Sequence, residues 1–444
     1  MADVWITLAA GGALVLVGFA AAQVFDRFRV PDYFLLMGIG LLLGSGWVPT
    51  GGVDIRTALA GVAPLLTNTA LAFILFEGGL VLQVRGIGRM WTIATAHTGI
   101  AMALSIAGVW IVGMQALGLT STTSLIMALA FCGPSATIVL SFLPRTQATD
   151  RTRFALTAEG VVGNIVAAAF VLLLVRLPGT SADAAALVPL MLNLGATALV
   201  AAAVGFAWAK AVGGSRQRTF AFMTSVALAL LLYAIGEGVL GGNGGLASFV
   251  FGFVLGQRRV LVAPHPGRPG SRGLQDFHRE LVFLLRTFFF VYLGLRVKLS
   301  DVNSMAVVGA ALFTLVFLLS RLPSSSMVRR LWKLPTLDVR ILRSTVARGM
   351  TDTVLILFAI EVGVIPAVEA GLVTDLLFLV IAFAATASAV LVALSERAAR
   401  RAPGPTPAED EWVISTGPRH EREEFERALA DFLDDPILRR GEID

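Results

Sequence analysis

The chain has 444 residues, of which 56% are hydrophobic and only 15% are charged, and its mean hydropathy is +0.80. Since an average soluble domain is about 25% charged, these values exclude a soluble globular enzyme, a disordered chain and a coiled coil. The net charge of +5 does not indicate nucleic-acid binding, because the basic residues cluster in short loops between apolar runs.

Thirteen apolar runs, most of them near 20 residues long, predict transmembrane helices. The second and the ninth runs are short and glycine-rich. The first has no Lys or Arg before it, so we expect a retained span rather than a cleaved signal. Numbered in chain order, the thirteen predicted spans are 4–24, 33–48, 62–83, 91–115, 121–143, 154–176, 186–210, 218–237, 244–257, 281–296, 304–321, 340–361 and 371–394.

Basic residues between the spans predict the orientation of the chain. If the N-terminus is outside, the cytoplasmic connections and the segment after the last span hold 24 Lys and Arg, including Arg321 at the end of span eleven. The other side holds only Arg56, Arg176, Arg296 and Lys298. Because positive residues favour the cytoplasmic side, we expect a multi-pass plasma-membrane protein with its C-terminus in the cytoplasm.

A change of composition after Ser395 predicts two domains, a transmembrane domain over 1–395 and a cytoplasmic tail over 396–444. Thirteen of the 30 acidic residues lie in this tail. It begins with a basic, proline-rich stretch, and Glu421 to Leu433 predicts a short amphipathic helix. The tail is either a solvated extension or a helix for regulation or dimer contact.

Two spans contain residues that interrupt a helix, which is typical of a transporter's binding region. Span five contains Cys132, Gly133 and Pro134, and proline cannot donate to the helical ladder. Span twelve contains Gly349 beside charged residues. The two spans are seven apart, and an odd offset gives them opposite orientations, as an inverted repeat requires. Spans 4–6 are therefore predicted to pair with spans 11–13.

Charged residues inside the spans are the next candidates, because a charge at membrane depth is costly and marks either a pathway or a structural ion pair. We expect Glu159 to form such a pair with Arg348. Asp352 follows Arg348 by four residues and could also pair with it along a helix. The partners of Glu77 and Arg286 stay open. Oxygen atoms for an ion could come from Ser135, Thr137, Ser141, Asn164 and Thr351.

The remaining chemistry of the sequence is sparse. His97, inside span four, is interpreted as packed or hydrogen-bonded rather than as a proton relay. The single cysteine, Cys132, excludes an intramolecular disulfide and a multi-cysteine metal site. No phosphate loop or cluster of metal ligands is visible. We therefore expect no cofactor, no metal beyond a transported monovalent cation, and no enzymatic activity.

Six motifs occur in chain order, namely residues 29–44, 75–80, Glu159 with the residues after it, 242–252, 286–295 and Arg348-Gly349. Together they resemble the monovalent cation:proton antiporters of the sodium/proton exchanger type. The resemblance implies an all-α polytopic protein with about 13 transmembrane helices and an inverted-repeat fold in which the broken spans five and twelve cross. It also implies a transport core of spans 4–6 and 11–13, dimerisation or scaffold spans, a homodimer, and exchange of Na⁺ or K⁺ for H⁺ by alternating access.

The chain departs from that family pattern at its central acids. Where the family has Thr-Asp-Pro, this chain has Cys132-Gly133-Pro134, and where the family has Asn-Asp it has Gly163 and Asn164. An asparagine can ligate a cation through its carbonyl oxygen but cannot carry a proton.

Three hypotheses follow from these departures. Asp352, or otherwise Glu159, has taken over the exchange. Alternatively, the fold has altered or uncoupled transport of another ion, of an anion, or in a channel-like manner. A third possibility is a membrane sensor or regulator without transport. The first hypothesis is preferred, with Asp352 as its better candidate, because it lies beside the break in span twelve.

Overall fold

The computed structural model describes residues 12–13, 15–21, 23, 32–45, 55–81, 89–135, 139, 146–176, 184–214, 221–241, 243–258, 274–297 and 303–401. All regular structure in these ranges is helical, which confirms the predicted all-α class. The helices are α1 (Asp32–Gly44), α2 (Ile55–Val81), α3 (Arg89–Gln115), α4 (Ser121–Ala130), α5 (Asp150–Arg176), α6 (Ala184–Gly214), α7 (Ala221–Gly238), α8 (Gly244–Arg258), α9 (Leu274–Arg296), α10 (Ser304–Trp332), α11 (Thr336–Ser344), α12 (Met350–Glu361) and α13 (Ala367–Arg401).

The helices agree with the predicted spans. Helical positions between residues 12 and 23 fall in the first span, and spans two to thirteen each contain at least one helix. Six of the described helices are long and apolar enough to cross a membrane, namely α2, α3, α5, α6, α10 and α13. The short second and ninth spans are the short helices α1 and α8. On α6, Met191, Leu192 and Leu199 are largely exposed, as expected for side chains that face lipid.

Span eleven is longer than predicted. It was expected to end at residue 321, but α10 continues to Trp332, and α11 begins only at Thr336. Serine hydroxyls in this polar extension donate to carbonyls one turn earlier in the same helix, as Ser326 does to Leu322. Arg321 is consequently not in a cytoplasmic loop; it is 3% exposed inside the helix.

The helices form two groups. The first group consists of helices that pack against one another, namely α3, α4, α5, α10, α11 and α13. The second group consists likewise of α1, α2, α6, α7, α8 and α9. Helix α12 lies between the groups, because it contacts α4 and α5 on one side and α2 and α9 on the other. Close packing in the second group depends on small residues, because a Cβ on Gly252 of α8 would overlap the Phe76 carbonyl oxygen of α2.

Helix α13 is fixed to both ends of the chain segment that forms span five. At one end, Glu369 accepts hydrogen bonds from the backbone N–H of Thr120 (2.8 Å) and from its hydroxyl (3.1 Å), just before α4. At the other end, Glu396 accepts from the backbone N–H of Gln147 (3.2 Å). These contacts hold the broken span in place beside α13. The tail expected over 396–444 lies, after Arg401, outside the described residues.

Candidate functional site

Two helix breaks meet in the middle of the molecule. The first follows α4 and the second separates α11 from α12. The backbone N–H of Ser135 donates to the carbonyl of Ala347 (2.9 Å), so the two breaks touch through their main chains. Ser388 of α13 supports the second break by accepting from Val346 N–H (2.8 Å). The expected crossing of spans five and twelve is confirmed.

At the crossing, helix α5 packs directly against the first break. A Cβ on Gly133 would lie 2.8 Å from the Cα of Gly163, and a Cβ on Gly163 would lie 3.0 Å from the Cα of Gly133. The Cys132 thiol points to the carbonyl of Gly163, with 3.8 Å between sulfur and oxygen. Gly133 stands where the antiporter pattern has Asp, and Gly163 stands where it has Asn. In this chain, contact between backbones occupies the space that those side chains would need.

Gly163→Ala is therefore expected to destabilise the protein by about 1–3 kcal/mol, the usual cost of forcing an extra carbon into packed surroundings. Thermal unfolding in detergent measures the change. The matched control is Gly99→Ala on α3, where a Cβ meets nothing within 4 Å and the residue is exposed. If both variants melted at the wild-type temperature, the close contact between the two glycines would not exist.

Asp352 lies in the first turn of α12, directly after the second break. Its Oδ2 accepts the Gly349 backbone N–H (2.7 Å), and the residue is 2% exposed. An acid in the first turn is favoured by the positive end of the helix dipole. Among the described residues, no basic nitrogen lies within ion-pair distance (4.0 Å) of this carboxylate. Asp352 is thus a buried carboxylate that accepts a backbone hydrogen bond and forms no ion pair within this distance.

Glu159 is also buried, at 1% exposure, but it has a cationic partner. Its Oε2 accepts from Nη1 of Arg321 at 2.8 Å. The same guanidinium nitrogen donates to the carbonyl of Leu342 in α11 (3.1 Å). The prediction that Arg348 is the partner of Glu159 was wrong, because Arg321, inside α10, forms this ion pair instead. Val328 and Trp332, two apolar residues one helical turn apart past the predicted end of span eleven, were the signal in the sequence that this helix continues.

Arg348 lies in the second break and is 2% exposed. Its guanidinium carbon lies 3.8 Å from the centre of the Phe317 ring on α10, and Nη2 is 3.5 Å from the Ser105 hydroxyl. Nε and Nη1 have no hydrogen-bond partner among the described atoms. Arg348 and Asp352 form no ion pair within 4.0 Å, because Arg348 precedes the helix rather than belonging to it. Stacking on an aromatic ring compensates part of its burial.

The other predicted residues fall into three groups. Ser135 and Thr351 are buried beside the breaks, and Asn164 is half-buried on α5. Glu77 on α2 and Arg286 on α9 are half-buried, and the Arg286 guanidinium lies 5.7 Å from the Phe283 ring centre. Thr137 and Ser141 lie outside the described residues. In the part of the chain that the structure describes, no three His, Cys, Asp or Glu side chains form a metal-ion cluster.

Comparison with known proteins agrees with this geometry. The sequence model of a family described as "Sodium/hydrogen exchanger, transmembrane" matches residues 12–395. The fold is similar to that of the sodium proton antiporter MjNhaP1 from Methanocaldococcus jannaschii at pH 8, with a TM-score of 0.72 and 16% sequence identity over 88% of this chain and 98% of that one. An electron-microscopy structure of the same antiporter gives a TM-score of 0.70 and 16% identity, covering 91% of this chain and 100% of the other.

Proposed function

The chain belongs to the sodium/hydrogen exchanger family and is a membrane transporter that exchanges monovalent cations for protons; from this premise we propose that Asp352 is the residue that binds the cation and the proton in turn. Exchange requires a single site that binds the cation or the proton, but never both at the same time. A carboxylate has this property, since it ligates a hard cation when ionised and carries a proton when neutral.

The observation that carries the proposal is the difference between the two buried carboxylates near the breaks. Glu159 is neutralised by Arg321 at 2.8 Å and is therefore unsuited to release a cation or a proton without breaking a buried ion pair. Asp352 has no cationic partner within 4.0 Å among the described residues, and it accepts the backbone N–H of Gly349. Its charge is thus available to a mobile ion.

The close contact of Gly133 with Gly163 supports the same choice. These positions carry neither a carboxylate nor the room for one, because a single Cβ on Gly133 would already meet the Gly163 Cα at 2.8 Å. Ion binding at the usual position of the antiporter pattern would need the backbones to separate. Asp352 lies three residues after Gly349 in the opposite break, so it offers an acid on the other side of the same crossing.

Neutral oxygen atoms complete the proposed site. Thr351 and Ser135 are buried beside the two breaks, and Asn164 lies on α5 next to Gly163. A carboxylate with hydroxyl and carbonyl oxygens suits Na⁺ or K⁺, since hard cations favour oxygen ligands. The guanidinium of Arg348 precedes Asp352 in the chain and is 2% exposed. It partly offsets the charge of Asp352 and so limits the cost of an ionised carboxylate inside the membrane.

The two groups of helices support a proposal for the transport movement. Helices α3, α4, α5, α10, α11, α12 and α13 form the transport core, which would move against the scaffold of α1, α2, α6, α7, α8 and α9. Glu369 and Glu396 keep the broken span fixed to α13, so the core can move as a body. We further propose a homodimer in the plasma membrane, with the N-terminus outside and the C-terminus in the cytoplasm.

Transport by purified protein tests the proposed function. In proteoliposomes loaded with a pH-sensitive dye, adding Na⁺ or K⁺ is expected to collapse a preset pH gradient, whereas an equal concentration of choline is not. Comparing Na⁺, K⁺ and Li⁺ identifies the preferred ion. A gradient that persists with all three cations, at acidic, neutral and alkaline pH, would exclude the proposal.

A further inference from the structure

A positively charged face covers one end of the first group of helices. We define this basic face by four exposed residues at the end of α10, in the turn after it and on α11, namely Arg329, Arg330, Lys333 and Arg340. Among the described residues, no carboxylate oxygen lies within 4.0 Å of the guanidinium nitrogens of its three arginines. These arginines are therefore available to an acidic partner.

Contacts between helices place the start of the C-terminal tail at the same end. The end of α10 touches the start of α5, where Arg151 donates to the carbonyl of Trp332 (3.1 Å). The end of α13 lies beside the segment that precedes α5, since Glu396 accepts from the backbone N–H of Gln147 (3.2 Å). Helix α13 ends at Arg401, and the tail follows it in the sequence. The tail is thus attached to the fold at the end that carries the basic face.

The carboxylates described at this end bind other groups. Asp338 of α11 is 1% exposed and accepts from the backbone N–H of Thr149 (3.2 Å) and from the hydroxyl of Thr152 (3.0 Å). Glu396 accepts from Gln147. Neither carboxylate forms an ion pair with the exposed arginines, so the positive charge of the basic face is not balanced within the described part of the chain.

The tail has the opposite charge. Residues 402–444 contain 12 acidic and five basic side chains, whereas residues 1–401 contain 18 acidic and 30 basic ones. Acidic side chains are repelled by anionic lipid headgroups. A tethered segment also meets a surface of its own chain at a high effective concentration. Both effects favour the basic face over the membrane surface as the neighbour of the tail.

The tail also carries apolar side chains that match an apolar group at this end. In the amphipathic helix predicted over Glu421 to Leu433, Phe425 and Leu429 lie on one face among acidic residues. On the described side, Leu331 follows Arg330 in the sequence and is 52% exposed. A helix that combines an apolar stripe with carboxylates fits a surface that combines an exposed leucine with arginines.

We propose that the acidic segment over residues 421–435 docks on the basic face. This segment holds seven acidic and two basic side chains. Its carboxylates bind the exposed arginines, and its apolar stripe covers Leu331. The contact lies outside the ion site at Asp352 and does not depend on the exchange proposed there.

The mobility of a label on the tail tests the docking in the full-length protein. Ala428→Cys places a spin label in the acidic segment, and the native Cys132 is 2% exposed and does not compete for the label. In nanodiscs of neutral phosphatidylcholine, we expect an immobilised label at about 0.05 M salt and a mobile one at about 0.5 M salt, because salt screens charges. A label that is equally mobile at both salt concentrations would overturn the proposal.

Reversal of charge on the basic face locates the docking site. Arg330→Glu and Arg340→Glu are each expected to raise the ratio of mobile to immobile label about fivefold, the upper end for an exposed ion pair. Lys210→Glu, at an exposed position of α6 in the second group of helices, is the matched control and should leave the ratio unchanged. An equal rise in the control would show that net charge, and not this face, determines the mobility, and would refute the proposal.

A charge swap separates direct pairing from a loss of structure. Glu423→Arg with Glu424→Arg in the tail should free the label. Adding Arg330→Glu and Arg340→Glu to these two changes should immobilise it again, because the charges are then complementary once more. If the combined variant keeps a fully mobile label, the tail and the basic face do not pair.

Anionic lipid is the other partner that a basic face could bind. In that case the wild-type label would be mobile in neutral nanodiscs at low salt. Arg330→Glu and Arg340→Glu would then reduce the amount of anionic lipid that copurifies with the protein, without changing the mobility of the label. This combination of results would assign the face to lipid headgroups and exclude docking of the tail.

Discussion

Asp352→Asn is expected to reduce cation-driven proton movement in proteoliposomes to the level of protein-free vesicles. The asparagine keeps the size of the side chain and the oxygen that accepts the Gly349 N–H. It loses the negative charge and the ability to carry a proton, and both are needed for exchange. The defect should therefore appear in transport and not in folding.

Glu361→Gln is the matched control for this variant. Glu361 is the last residue of the same helix, α12, and is exposed. The same chemical change there should leave exchange close to that of the wild type. Asp352→Glu, which restores the carboxylate, should recover part of the activity. Wild-type exchange by Asp352→Asn would contradict the proposal and transfer the role to Glu159.

Arg321→Ala is expected to cost about 3–5 kcal/mol of stability, because it leaves Glu159 charged, buried and without its partner. It also leaves the carbonyl of Leu342 without the donor that links α10 to α11. The expected outcome is a large loss of folded protein, measured by yield and by thermal unfolding in detergent. Arg329→Ala, an exposed position on the same helix, should change stability by less than about 0.5 kcal/mol.

A double variant separates the ion pair from the bulk of the side chain. In Glu159→Gln with Arg321→Met, both charges are removed, so no buried charge remains uncompensated. This variant should be more stable than Arg321→Ala alone, since isosteric apolar replacement of a buried pair is often close to neutral. Equal stability of the two variants would show that the ion pair is not what Arg321 contributes.

Arg348→Ala has a different expected effect. If Arg348 paired with Glu159, as expected from the sequence, its removal would leave a buried carboxylate without a partner and unfold the protein. In the structure Glu159 pairs with Arg321 instead, and Arg348 contacts the Phe317 ring and the Ser105 hydroxyl. Losing the cation–π contact costs about 2 kcal/mol when the pair is desolvated. Folded Arg348→Ala protein should thus be obtainable where Arg321→Ala protein is not.

Much of the fold could be predicted from the sequence because hydropathy and helix breaks are local properties. The apolar runs located the spans, and Pro134 and Gly349 marked the two breaks that the structure brings together. The end of span eleven was misplaced for the same reason: Arg321 and the serines that follow look like a loop when only composition is considered. Their burial depends on neighbours that are distant in sequence.

The sequence by itself determined the membrane class, the helical architecture, the position of both breaks and the absence of acids at Gly133 and Asn164. Only the tertiary structure decided how the buried charges are divided. In the folded protein Glu159 lies beside Arg321 and His97, whereas Asp352 accepts a hydrogen bond from the backbone. It also showed that two glycine backbones fill the crossing. The physical reason is that a helix forms from contacts within one segment, whereas an ion pair between helices depends on their rotation and depth, which only packing fixes.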